Sequence, residues 1–418
     1  MSRRAPRPPA SAALLPASIT EVLDAVVSEA PDRPMVITRS ARWSYRQLDE
    51  QADAAAHSLR DLGVAPGDRL AVTLPNDADI VAVFHGAMRL GAMWVGVNRA
   101  LAPPEKAYIL RDSGCAVLVC DLTTAEELDR EDLGLEGVRR VVVDPGPAGQ
   151  QWRDAMRAST GAGRMPPPDP ERPAALAYTS GTTGHPKGAV HSQRNLLLPG
   201  AALVASRGYG PELRKGDCFP LTILNLQVLT TLLVAQAGGC SVIMDRIDSA
   251  GVTEWIRDNG VTTWNGPPAL LYSLAHDQTV DPSDLASLDE VWTGGADCPE
   301  SLREAFAARF GLPVIATYGL TEAPTVVAID PRDGDHRPGA SGRPLPHIRV
   351  SVRDDAGREV GAAETGEICL AAVDDGPWAG AYRAPLGYWD RPEASAALLE
   401  GGVVHTGDVG YVDADGFL

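Results

Sequence analysis

Short β-branched runs alternate with helical patterns along most of this chain, and that rhythm constrains the fold more than any other feature. RLAVTLP (69–75) is strand-like, and ADIVAVFHGAMRLG (78–91) follows with apolar residues at helical spacing before Gly91. A glycine there is a natural helix stop. AVLVC (116–120) and VRRVVVD (138–144) read as further strands, with Cys115 and Cys120 as core residues. The pattern resumes in GGCSVIMD (238–245), GVTTWNGPPALLYSLA (260–275), LDEVWTGGAD (288–297) and LPVIATYG (312–319). Strands separated by helices predict mainly parallel sheets covered by helices.

Two changes of texture divide the chain. GAGRMPPPDPERP (161–173) reads as a loop or linker. From about residue 340, IRVSVRDDAGREV, GEICLAA and VVHTGDVGYVDADGFL are short strands with DDAG and DADG turns. The expected fold class is α/β: two α/β subdomains (18–173 and 174–340) plus a small distorted β-barrel (341–418). Residues 1–17 read as a disordered tail. The sequence stops in mid-strand by pattern, which predicts a longer parent.

A chain of 418 residues has room for two or three domains. Its net charge of -18 argues against a broad basic surface for nucleic acid, yet permits a nucleotide site with local positive potential. The six cysteines show no CxxC spacing, so a zinc or redox motif is unsupported and reduced thiols are expected. SAALLPA is broken by Pro16 and too short for a signal peptide. No run approaches the ~20 apolar residues of a membrane span. A soluble, cytoplasmic protein is the expectation.

YTSGTTGHPKGAVHS (178–192) packs small, hydroxylated and flexible residues around one lysine. Gly181, Gly184 and Gly188 let backbone N–H groups approach phosphate oxygens. Thr179, Ser180, Thr182 and Thr183 add hydroxyl donors, and Lys187 adds charge. The string is not a Walker A motif. Taken alone, a glycine–threonine cluster also fits a solvated turn.

The full string Y-T-S-G-T-T-G-x-P-K-G resembles the phosphate loop of the adenylate-forming superfamily: acyl-CoA synthetases, aryl-acid ligases, luciferases and peptide-synthetase adenylation domains. RWSYRQLDEQADAAAHSLRDLGVAPGDRLAVTLPN (42–76), FHGAMRLGAMWVGVN (84–98), TGGAD (293–297), ATYGLTEA (316–323), GEICL (366–370), GYWDRPEAS (387–395) and HTGDVGYVDADGFL (405–418) agree in order. The resemblance covers about residues 18 to 418 and implies a large N-terminal lobe whose mobile, lysine-bearing C-terminal domain is not in this chain.

It also implies roles. Lys187, Thr321 and Glu322 are the catalytic candidates, with Glu322 as the Mg²⁺ ligand, because a carboxylate is a hard oxygen donor. The loop residues Thr179 to Gly184, with Gly294, Gly295, Ala296, Tyr318, Thr321 and Asp408, are the ATP-binding candidates. Asp408 would accept from both ribose hydroxyls, and Tyr318 would stack on adenine. The implied reaction joins an acid to AMP, releases pyrophosphate and passes the acyl group on, with coenzyme A as a possible acceptor.

This sequence departs from the pattern at four places. Thr222 and Ile223 stand where an aromatic or histidine pair is usual, with Asn225 and Gln227 beside them. Gly96 replaces a usual proline. Residues 370–389 form a longer connection, either a surface loop or part of an interface. Val403 stands near a usual tryptophan. Substrate-pocket candidates are Ile223, Asn225, Gln227, Trp264, Pro267, Trp292, Gly294 and Gly319, although Trp264 and Trp292 equally suit ordinary core. The polar residues favour a small or aromatic carboxylic acid over a long alkyl chain. Activation of nitrite for arylamine diazotisation and a non-catalytic nucleotide-binding lobe are the alternatives. The expected partners are a small-molecule acid and an acceptor thiol or amine, without nucleic acid or a membrane span. A homodimer is left open.

Overall fold

The computed structural model describes residues 15–130, 132–179, 184–332 and 336–418, so most of the expected tail and Ser180, Gly181, Thr182 and Thr183 lie outside the described residues. Two large sheets and one small sheet organise the rest. Six strands run edge to edge as Arg139–Val142, Val117–Cys120, Arg69–Thr73, Met93–Gly96, Pro173–Thr179 and Lys187–Ser192. All neighbours are parallel except the last pair.

The nine-stranded sheet runs Arg343–Pro344, Thr325–Ile329, Val314–Leu320, Glu290–Gly294, Thr263–Asn265, Arg214–Asp217, Cys240–Ile243, Pro34–Ile37 and Arg42–Ser44. Its centre is parallel and its edge pairs are antiparallel. Sheet membership is therefore interleaved along the chain. Residues 173–192 complete the first sheet, whereas residues 34–44 close the second. The fold is mixed α/β with parallel-rich sheets.

The helix Ala78–Leu90 ends at Gly91 with φ +78°, as its pattern predicts. It packs against the helix Tyr45–Asp61, whose start is fixed by a capping box between Ser44 and Gln47. Contact is close: a Cβ on Gly86 would lie 2.7 Å from the Ala55 Cβ. Buried Arg89 pairs with Asp49 and Asp53 across the same interface. The proline stretch is no free tether, since Arg164 pairs with Asp24 and Asp49.

The C-terminal unit is a three-stranded antiparallel sheet of Ile348–Arg353, Gly366–Ala372 and Val404–Gly410. Its buried residues Ile348, Ile368, Leu370 and Val404 share a core with Ala323 and Val327. That core fastens the small sheet to the turn carrying Thr321 and Glu322. The connection 370–389 is packed, with Trp378 buried and the Arg383 carbonyl accepting from the Asn195 amide. Residues 386–389 then run beside the strand Lys187–Ser192 through Leu386 N–Val190 O, Val190 N–Gly387 O and Trp389 N–Gly188 O bonds.

Among the described residues no helix is long and apolar enough to cross a membrane. The six cysteines are free.

Candidate nucleotide site

The GYWD segment lies against the strand that begins at Lys187, which brings Tyr388 over the lysine. Lys187 Nζ sits 5.3 Å from the Tyr388 ring centre, within cation–π range. The Tyr388 hydroxyl donates to Glu322 Oε1 at 2.7 Å. Burial first, and this bond second, raise the phenol's pKa above its ordinary value, so it remains a donor. Lys187, Tyr388 and Glu322 thus form one chain of contacts. Tyr388 belongs to the GYWDRPEAS motif, and only the pairing of two distant segments brings it to Lys187 and Glu322.

Thr321 and Glu322 occupy a tight turn between antiparallel strands. Thr325 closes it at φ +119°, a conformation rare for a β-branched residue. A Cβ on Gly319 would come within 2.0 Å of the Thr325 carbonyl oxygen, so glycine is required opposite it. Backbone strain of this kind costs roughly 1–3 kcal/mol and concentrates at functional sites.

Both flanks of the glycine loop are anchored. The Tyr178 hydroxyl donates to Asp112, which also pairs with Arg391 at 2.5 Å. Tyr108 donates to the Pro186 carbonyl and stacks on His185 with ring centres 4.9 Å apart. Tyr108 and Asp112 lie in none of the recognised motifs. Thr179 ends one flanking strand, and Gly184 takes φ +140°.

Tyr318 connects two adjoining cavities. One, of about 520 Å³, is lined by Thr293, Gly294, Gly295, Ala296, Thr317 and Gly319, among others. The second, of about 560 Å³, has Arg337, Ser341 and Asp408 on its walls. The Tyr318 hydroxyl donates to Asp408 Oδ2 at 2.6 Å. The first cavity lies at the carboxyl ends of the parallel strands Glu290–Gly294 and Val314–Leu320, the usual place for a ligand in such sheets. Glycines Gly295 and Gly339 form part of the walls with open space where a side chain would stand. The Thr293 hydroxyl is buried without a hydrogen-bond partner among the described residues. A small-residue wall with an unsatisfied donor suits a polar, flat ligand such as a nucleotide.

The pocket candidates divide. Gly294 and Gly319 line the 520 Å³ cavity. Trp264, Trp292 and Gln227 do not, because each is enclosed. Trp264 is fully buried in the core against Gly266. Trp292 donates to Glu290 and lies under Arg207 and Lys215. Gln227 donates to the Leu221 carbonyl inside a buried helical turn. Pro267 starts the helix Pro268–His276 and is half-buried, whereas Ile223 is exposed.

Gly96 and Thr222 form one feature. A Cβ on Gly96 would meet the Thr222 carbonyl oxygen at 1.7 Å and the Trp94 Nε1 at 3.0 Å. The Thr222 hydroxyl, Trp94 Nε1 and Asn225 Oδ1 are buried without partners among the described residues. Gly96→Ala should cost about 1–3 kcal/mol, because backbone rather than a movable side chain blocks the new methyl. Denaturant unfolding should show a lower midpoint, and an unchanged midpoint would refute this close approach.

Residues 23–373 match the family described as AMP-binding enzyme. The chain is 31% identical over 400 residues to a fatty acid–[acyl-carrier-protein] ligase, ScoC, of Streptomyces coeruleorubidus, covering 93% of this chain and 73% of that protein. It is 29% identical over 404 residues to an indoleacetate–CoA ligase of Aromatoleum aromaticum, covering 96% and 77%. Its fold is similar to that of the anthranilate CoA ligase AuaEII in complex with anthranoyl-AMP, with TM-score 0.87, 25% identity and coverage of 98% and 78%. Motif order, the glycine-walled cleft and these matches agree: the chain belongs to the AMP-binding enzyme family, the adenylate-forming ligases.

Proposed function

We propose that this protein uses ATP to activate a small or aromatic carboxylic acid as an acyl-AMP and then forms a thioester, with coenzyme A as the acceptor thiol. The observation that carries this reading is the Lys187–Tyr388–Glu322 chain beside the Tyr318–Asp408 pair. In the first step a carboxylate oxygen attacks the α-phosphorus, and the bond to pyrophosphate breaks. Lys187 and the Thr321 hydroxyl would donate to phosphate oxygens as charge builds there. Asp408 would exchange its bond from Tyr318 for the ribose hydroxyls, and the freed Tyr318 ring would pack on adenine. Glu322 fits a hard cation, since its second oxygen takes no hydrogen bond among the described residues. A Mg²⁺ ion held there would supply positive charge to the phosphates. In the second step the thiol attacks the acyl carbon, and AMP leaves.

If the acyl site reaches Thr222 and Asn225, whose buried hydroxyl and amide oxygen have no partner among the described residues, a small, polar acid is favoured, because burying them against an alkyl chain is costly. The test is acid-dependent ATP–pyrophosphate exchange by the full-length enzyme with hydroxy- and amino-substituted aryl acids, a long-chain fatty acid and nitrite. Exchange should be fastest with the aryl acids. Exchange with the fatty acid alone, or with nitrite alone, would overturn the substrate reading. ATP binding without exchange for any acid, in the protein joined to a lysine-bearing C-terminal domain, would make the chain a binding lobe.

A further inference from the structure

Cys369, His405 and Glu367 meet on the face of the small sheet opposite its apolar core. Glu367 and Cys369 are two residues apart on one strand, so they share a face. His405 is the direct cross-strand partner of Cys369. Their ligand atoms all lie within 4.8 Å of one another. His405 Nδ1 is 2.8 Å from Glu367 Oε2 and 3.6 Å from Cys369 Sγ. Donors around one tetrahedral ion stand roughly 3.3–3.8 Å apart, given bonds of ~2.0–2.3 Å. Small side-chain adjustments therefore suffice. On the other side of Cys369, in the same cross-strand row, stands Ser351. Its hydroxyl is buried and has no hydrogen-bond partner among the described residues.

We infer that Cys369, His405 and Glu367 form a binding site for a transition-metal cation of the Zn²⁺ class. Thiolate, imidazole and carboxylate are the donor set that Zn²⁺ prefers over Mg²⁺ or Ca²⁺. Three protein ligands leave a fourth position for water, with the Ser351 hydroxyl close enough in the row to steady it. On binding, the Cys369 thiol loses its proton to solvent, and the metal replaces the His405–Glu367 hydrogen bond. The site is separate from Glu322. Glu367 Oε1 also accepts from Gly407 N at 3.1 Å, next to Asp408.

Titration of the full chain with Co²⁺, a spectroscopic stand-in for Zn²⁺, tests this independently of any ligase activity. One equivalent should produce a thiolate-to-cobalt charge-transfer band, and Zn²⁺ should displace it. Cys369→Ser should abolish the band, and His405→Ala or Glu367→Gln should weaken binding by roughly tenfold or more. Cys298→Ser, which removes the half-buried cysteine, should leave the band intact. Circular dichroism establishes that each variant is folded. Absence of the band in the unsubstituted chain, or its persistence in folded Cys369→Ser, would overturn the assignment.

Discussion

Glu322→Gln should lower the rate of ATP–pyrophosphate exchange on the order of a hundredfold and raise the Mg²⁺ concentration needed for half-maximal rate. The substitution is nearly isosteric, and the glutamine carbonyl can still accept from the Tyr388 hydroxyl. What disappears is the negative charge that would hold the cation. The fold should therefore survive while the chemistry fails. Tyr388→Phe is the companion variant: it keeps the ring over Lys187 but removes the donor to Glu322. Its loss should be smaller, within about tenfold, consistent with a net contribution of about 1 kcal/mol from one hydrogen bond. Exchange rates measured across a Mg²⁺ series, with thermal melts as the folding control, separate the two. Unchanged exchange and Mg²⁺ dependence in a folded Glu322→Gln protein would remove Glu322 from the mechanism.

Asp217→Ala should destabilise the protein by about 3–5 kcal/mol, the expected cost of stranding a buried charge. Lys215 Nζ and Asp217 Oδ2 are 3.0 Å apart, and both side chains are completely shielded. Thr230 also donates to Asp217, while Lys215 Nζ lies 5.4 Å from the Trp292 ring centre. Removing the carboxylate leaves an ammonium group in the interior with only the ring and dipoles around it. Lys215→Met with Asp217→Ala should recover a large part of the loss, because neither charge then remains. A double-mutant cycle in urea measures the coupling. A loss below about 1 kcal/mol for Asp217→Ala would show that the pair is hydrated.

Much of the fold was legible because local patterns fix local structure. Gly91 ends its helix through backbone geometry set within a few residues. The strands that begin at Arg69, Val117 and Val314 lie where their β-branched runs place them. Motif order marks Lys187, Tyr318, Glu322 and Asp408 as site candidates.

Pairing between distant segments was not legible. Nothing local says that residues 34–44 join the nine-stranded sheet, because open strand edges are satisfied by whichever partner the whole fold supplies. Burial decided the tryptophans in the same way. Trp264 and Trp292 have the composition of a pocket wall, yet a close glycine and a buried ion network enclose them. Tyr388 became part of the site only when residues 386–389 aligned beside Lys187. By itself the sequence determined the α/β class and supplied the candidate residues of a nucleotide site. Only the tertiary structure decided which side chains face the cleft and which fill the core, because orientation follows from packing across hundreds of residues rather than from spacing along the chain.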